Sequence, residues 1–498
     1  MLYITILIPK LMYRASRLDG KLDKNTLNFL SSISEDKEIA IYDILGSQAH
    51  TLMLFENKII TKNEASKILS ALEKLKKENF SIKSESEDIH ELIESLVIKK
   101  AGMQAGGKMH TARSRNDQIS LDIRMKIRDD INILCSCLLD LIETLVSLAE
   151  KNQGTIMPLY THLQQAQIGS LSHVLLAYAD ALFRDFDRFY VTYGRVNESP
   201  LGAGPIGGTS LHIDRQSTAK MLGFKGLIEN SIDATGSRDF VAEYVGQISI
   251  LMTNLSRIAE DLIIWSTLEF SFIELSDKFA STSSVMPQKK NPDILELVRG
   301  KTAQVIGYQM GILSNLKGLP SGYNRDLQQI KISIWPASKI AISSLLVINA
   351  VLKTMKINDQ KMKMAIDSGY SIALDIAEYL VKKGIPFRTA HKIVGQLVQT
   401  ASNSKKSLLA LSVPEIKKSV KEDVIKSKEL YKIIHSTTAN SSLTERVSQG
   451  SSGRSEQKRM ISDRKRKIQA YRVGISKRTN EVKLALENLI KKIKTITK

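Results

Sequence analysis

The sequence predicts an all-α fold built around a central bundle of long helices, and three observations carry that expectation. Between Asn116 and Gln153 there is neither proline nor glycine, and Ile119, Ile123, Ile127, Ile131, Leu134, Leu138, Leu141, Leu145 and Leu148 recur at three- and four-residue steps. That spacing lines one face of a helix; at ~1.5 Å per residue the helix would reach roughly 55 Å. Further helices are expected at about 162–193, 237–268, 291–314 and 336–356. Strand signals are few, and no alternation of strands with helices suggests a parallel sheet. Helices this long carry apolar faces too extensive for one subunit to cover, so the pattern also predicts an oligomer.

Three regions follow along the chain. Residues 1–115 read as shorter helices and loops, and 116–360 as the long-helix bundle. Residues 361–498 read as short helices broken by Gly384-Ile385-Pro386, by Ser412-Val413-Pro414 and by the serine- and glycine-rich stretch from Ser448 to Ser455. No internal repeat is visible. The chain has 498 residues, enough for two or three domains, and its 43% hydrophobic and 6% aromatic content suits aliphatic helices.

Cys135 and Cys137 are the two cysteines. Two apart on one helix, they face different directions, which excludes a disulfide or metal clamp between them and fits a reducing cytoplasm. No run approaches 18 apolar residues, so no membrane span is expected. The apolar opening Met1 to Lys10 lacks the basic start and cleavage site of a signal peptide, and we expect the functional start at Met12.

The net charge of +19 is concentrated at one end: residues 401–498 hold 24 Lys+Arg against 9 Asp+Glu, which leaves the first 400 residues near neutral. Arg464-Lys465-Arg466-Lys467 and the lysines from Lys491 onward could face an acidic surface. Val482, Leu484, Leu486, Leu489, Ile490 and Ile493 nevertheless form a rough apolar stripe, and no interleaved aromatics offer base stacking. Nucleic acid is therefore not an expected partner.

The most informative stretch is Ser283 to Glu296, S-S-V-M-P-Q-K-K-N-P-D-I-L-E. Asn291 is expected to cap a helix and Pro292 to occupy its first position, where a missing N–H costs nothing. The positive end of that helix, with Lys289 and Lys290, would make a pocket for carboxylate oxygens. Glu296 falls one turn inside. Ser283 is too weak an acid to serve as a base by itself, and needs cations, N–H donors and exclusion of water to favour its alkoxide. Thr161 reads as an N-cap with Gln164 three residues on, which puts His162 in the first turn of a helix, with Glu296 as the candidate carboxylate to compensate its charge.

Taken singly, a serine-rich stretch is more often a linker and a helical histidine more often structural. Several blocks in order outweigh that. Residues 283–296 resemble the signature of the fumarase/aspartase superfamily, lyases that release fumarate from a succinyl group, and the version Gln288 to Asp293 is most similar to the argininosuccinate lyase family. Lys108 to Gln118, Tyr160 to Gln164, Glu87 to His90, Ser199 to Gly208, Ser237 to Phe240 and Tyr323 to Gln328 match further blocks in the same order. The likeness runs from about Arg14 to roughly Gly395.

The resemblance implies an all-α, three-domain lyase whose central helices assemble into a tetrameric core, with each site shared between subunits. It implies reversible β-elimination of argininosuccinate to arginine and fumarate, without cofactor or metal. By the same resemblance Ser283 is the base, Lys289 stabilises the carbanion, and His162 with Glu296 forms the acid side; the family also admits the reverse assignment of the two proton transfers. Asn116 and Thr161 would hold succinyl carboxylate oxygens, with Arg115 and Asn291 nearby. Ser32 matches the hydroxyl that follows the family's Phe-Asn pair, and Tyr323, Gln328 and Lys331 match positions that contact the arginine end.

There are departures: Phe29-Leu30 stands for a Phe-Asn pair, Thr282 for a loop glycine, and Gln329-Ile330 for a commonly acidic pair. The alternatives are a sibling lyase acting on another succinyl compound such as adenylosuccinate, or a non-enzymatic protein like those of the eye lens; retention of His162, Ser283, Lys289 and Glu296 argues against the second. His90-Glu91-Leu92-Ile93-Glu94 lacks the second histidine of a zinc-protease helix. Gly202 to Gly208 lacks the Gly-Lys-Ser/Thr of a phosphate loop, and no G-x-S-x-G elbow is present.

Overall fold

A computed structural model describes residues 23–78, 86–367, 369–420 and 424–498; the expected start at Met12 lies outside them. The described chain is helical, with eight strands of which six are two residues long. The predicted central helix spans Arg115–Lys151, starting one residue and ending two residues earlier than expected. Its start is fixed by a capping box: the Ser114 side chain accepts from the Asn116 N–H, and Asp117 accepts from the Ser114 N–H at 3.0 Å. All nine aliphatic positions read from the sequence lie inside, Leu148 half-buried and the others fully buried.

Against it pack Leu171–Val196, Lys331–Thr354 and Arg454–Thr497; Asp239–Ser266 packs on Leu171–Val196 and Lys331–Thr354, and Asp293–Leu316 completes the bundle against Asp239–Ser266. Their apolar faces form one continuous core, from Ile39 through Met355 and on to Ile496. Residues 376–434 build a separate small core around Ile376, Leu380, Ile393, Leu397 and Ile434.

Three expectations need correction. The helix predicted at 162–193 begins only at Leu171, because Ile156–Thr161 and Gln164–Ser170 pair as an antiparallel hairpin. The helix predicted at 336 begins at Lys331, with Pro336 inside it. By length and composition two helices, Arg115–Lys151 and Arg325–Thr354, are apolar enough to cross a membrane; about half of each apolar window (56% and 50%) is buried within the chain, which accounts for its composition as bundle core.

The basic C-terminal region folds onto acidic bundle helices. In the 454–497 helix, Arg464 pairs with Asp180 at 2.6 Å, Lys465 with Glu150 at 2.6 Å, Arg472 with Asp140 at 2.8 Å and Lys492 with Glu56 at 2.8 Å. Tyr471 stacks on Phe186 with ring centroids 4.2 Å apart and donates its hydroxyl to Asp187. Of the apolar stripe read from the sequence, Val482, Leu489 and Ile493 are buried, Leu486 and Ile490 half-buried, and Leu484 exposed. Individually such pairs contribute little; together they match a basic face to an acidic one along the docked helix.

Candidate active site

The Ser283 segment is a closed loop at the surface. Ser281–Thr282 pairs antiparallel with Lys290–Asn291, and the Ser283 N–H donates to the Lys289 carbonyl at 3.3 Å. The Ser283 hydroxyl oxygen accepts two backbone N–H groups, from Val285 at 3.2 Å and from Met286 at 2.9 Å. Two donors converging on one oxygen favour its ionised form. Thr282 sits in the extended pairing with no positive φ, so a β-branched residue is accommodated there.

The helix after the loop starts at Asp293, not at Asn291: Pro292 is its N-cap and Asn291 belongs to the strand pair. The pocket expected from Lys289, Lys290 and the helix end is correspondingly altered. Lys290 is committed to the loop base, donating to the Leu275 carbonyl at 2.5 Å and to Asp277 at 2.6 Å. Asp293, which accepts from the Ser281 hydroxyl, already places a carboxylate at the positive helix end. Lys289 remains as the exposed cation of the loop. Glu296 is exposed one turn into the helix, as expected.

His162 and Leu163 form the two-residue tip of the 156–170 hairpin, with φ of 56° and 57°. Two successive positive φ values match the turn that follows strand twist; for leucine this is a strained backbone, costing on the order of 1–2 kcal/mol. His162 is therefore not in a helix and receives no helix dipole, contrary to the sequence expectation. Thr161, His162 and Leu163 are all exposed, Leu163 by 75%. The hairpin is anchored by Tyr160, whose ring lies 5.8 Å from that of Phe270. Among the described residues no hydrogen bond or ion pair joins His162 to Glu296, Ser283 or Lys289.

A second group gathers at the start of the 115–151 helix. Arg115 pairs with Asp88 at 2.9 Å and with Glu87 at 3.3 Å, and Arg325 bonds the same Glu87 and donates to the Leu30 carbonyl at 2.8 Å. Ser32 hydrogen-bonds Asp36 at 2.8 Å, its N–H reaches the Glu87 carbonyl, and Asn116 donates to the Pro205 carbonyl at 2.9 Å. Gln328 donates to the Tyr323 hydroxyl. The loop before them packs so closely that a Cβ at Gly236 would lie 2.8 Å from the Gly322 carbonyl. Lys331 departs from expectation: starting its helix five residues earlier than predicted buries it completely, in an ion pair with equally buried Asp36.

Behind this group lies a fully buried cluster of Asp43, His90 and Asp122, whose ligand atoms fall within 4.8 Å of one another. His90 Nδ1 is 2.9 Å from Asp43 and 3.6 Å from Asp122. Burial alone would depress the imidazole, but Asp43, supported by Asp88 and Asp122, outweighs it and raises His90 to about 9. Burial would likewise raise Asp43, yet His90, Arg113 and Gln118 hold it below the usual carboxylate range; Asp122, buried beside Asp43, is pushed well up.

Of the residues singled out from sequence, Ser32, Arg115, Tyr323, Gln328 and Asn116 are tied into hydrogen-bond or ion-pair networks, whereas Thr161 and His162 on the hairpin, and Lys289 and Glu296 on the loop and the helix after it, are exposed and Ser283 is half-buried. Sequence reasoning missed Asp36, Asp117 and Arg325. Only Asp117 had a readable signal, the Ser114-x-x-Asp117 capping pattern.

A family model described as Lyase matches residues 16–307, and one described as Argininosuccinate lyase C-terminal matches residues 370–439. The chain is 64% identical over 485 residues to an argininosuccinate lyase of Nitrosopumilus maritimus, covering 97% of this chain and 100% of the relative. It is 48% identical over 390 residues to that of Methanothrix thermoacetophila, covering 78% and 80%. An EDDS lyase in complex with formate superposes with a TM-score of 0.85 at 28% identity, over 93% of this chain and 92% of that one. A class II fumarase from Schistosoma mansoni shares the fold, with a TM-score of 0.68 at 16% identity over 80% and 89% of the two chains. The chain belongs to the argininosuccinate lyase family of the fumarase/aspartase superfamily and is a carbon–nitrogen lyase.

Proposed function

We propose that this argininosuccinate lyase completes its site only on assembly, with Ser283 as base, Lys289 as stabiliser of the carbanion and His162 with Glu296 as the acid side. The observation that carries the reading is the pair of backbone N–H groups on the Ser283 oxygen. A donor pair of this kind lowers the cost of an alkoxide once water is excluded. Ser283 removes a proton from the carbon next to a succinyl carboxylate. Charge spreads onto that carboxylate, where Lys289 answers it, and the C–N bond then breaks as a proton is delivered to the leaving guanidino nitrogen. Fumarate and arginine leave.

Asn116 and Thr161 hold succinyl oxygens, with Arg115 and Asn291 nearby. Ser32, Tyr323 and Gln328 face the arginine end, where Lys331 acts from beneath by holding Asp36 against Ser32. Exposed apolar side chains along the bundle, including Leu297, Ile306, Met310, Ile332 and Leu346, support a homotetramer in which hairpin and loop meet residues of other subunits. The two free thiols fit a cytoplasmic setting. Fumarate absorbance tests the substrate: it should appear with argininosuccinate and not with adenylosuccinate, and the reverse result would reassign the enzyme to a sibling activity.

A further inference from the structure

We infer that Asp117 is a positioning residue for the succinyl side of the cleft, pinning the glycine-rich loop whose Pro205 carbonyl in turn orients Asn116. The inference rests on the reading of Asn116 as a carboxylate-binding residue. Asp117 is fully buried, yet three backbone N–H groups converge on it: one oxygen accepts from Ser114 at 3.0 Å, the other from Gly202 at 3.0 Å and Gly204 at 2.9 Å. The first contact belongs to the helix start and the other two to the loop, so a single carboxylate ties them together.

The loop is shaped for that grip. Gly202 and Gly204 have φ of 85° and 64°, the Gly208 N–H closes back on the Ala203 carbonyl at 3.0 Å, and a Cβ at Gly204 would stand 3.0 Å from the Gly208 carbonyl. On its other side Arg215 donates to the Leu201 carbonyl at 3.0 Å. The next carbonyl along, that of Pro205, takes one amide hydrogen of Asn116. A second hydrogen on the same nitrogen remains for a carboxylate oxygen.

An asparagine at 117 cannot accept from both sides, since its NH₂ must face either the Ser114 N–H or the glycine pair. Burial pushes the Asp117 carboxyl up to about 6, while the Ser114, Gly204 and Gly202 N–H groups and Arg113 favour its ionised form.

The test combines kinetics with argininosuccinate and amide hydrogen exchange of residues 199–208. In Asp117→Asn we expect KM to rise about tenfold or more, on the scale of one charge-assisted hydrogen bond, with kcat little changed and faster exchange in the loop. Asn116→Ala should raise KM without changing loop exchange, and the double variant should be no worse than Asn116→Ala alone. Gly204→Ala, which disturbs the loop and leaves the carboxylate in place, should reproduce the Asp117→Asn phenotype and serves if that variant fails to fold. Unchanged exchange in both loop variants overturns the clamp. KM effects of Asp117→Asn and Asn116→Ala that multiply overturn the coupling to Asn116. A KM unmoved by Asn116→Ala, with faster exchange in Asp117→Asn, overturns the role of Asn116 and with it this inference, while leaving the rest of the proposed site standing.

Discussion

The polar groups behind Arg115 and those on the 161–164 hairpin serve one proposed reaction, but they differ in what holds them. Around Arg115, each charge the reading uses has a partner from its own chain: Arg115 on Asp88, Arg325 on Glu87, Lys331 on Asp36, His90 on Asp43. The two buried pairs, Lys331 with Asp36 and His90 with Asp43, could not lose a partner without a large cost, because an uncompensated buried charge is strongly destabilising. The hairpin tip and the Ser283 loop are shaped internally, by two positive φ values and two N–H donors, yet His162 and Lys289 are exposed and Ser283 is only half-buried. On the proposed reading, one half of the site is held in place by contacts within the chain, and the other is completed by a neighbouring subunit.

Breaking the exposed half should give the largest effect. Ser283→Ala and His162→Asn should each lower kcat by about 10³-fold or more, the scale of general acid–base catalysis, with circular dichroism unchanged because neither side chain packs in the core. Mixing the two inert proteins, with denaturation and refolding, should restore activity in hybrid tetramers. Hybrids verified by mass that stay silent would place His162 and Ser283 of one chain at the same cleft.

The buried half should respond in stability first. Lys331→Met leaves Asp36 as an uncompensated buried charge, a loss of about 3–5 kcal/mol, read from urea unfolding. A shift under 1 kcal/mol would mean that Asp36 is neutral or solvated.

His90 sets a smaller, pH-dependent term. Its folded value of about 9 lies above the ordinary 6.5, so its stabilisation is complete below pH 6.5 and fades as pH rises through 9. Thermal midpoints should fall across that window, and His90→Gln should flatten the fall. The smallest change should come from Thr282→Gly. Since Thr282 has no positive φ, turnover should stay equal or rise modestly, and a marked fall in kcat would give the threonine side chain a role of its own.

The sequence was most legible where one local rule sufficed. An uninterrupted 3.6-residue apolar period placed the 115–151 helix to within two residues, and seven ordered blocks carried the family. It misled where local signals competed. Thr161-x-x-Gln164 imitates a helix cap, but the strands on either side pair with each other, and the turn between them uses His-Leu where Asn-Gly would have announced it. Pro336 imitates a helix start, yet the helix begins five residues earlier and takes Lys331 into the interior.

What the sequence determined by itself is the set of elements and the chemical groups they carry, because periodicity and side-chain chemistry are local properties. Only the tertiary structure decided the pairings. Asp36 lies 295 residues from Lys331, Asp43 lies 47 from His90, and Asp117 lies 85 from Gly202. Which charge meets which depends on how helices distant in sequence cross, and no local pattern encodes that crossing.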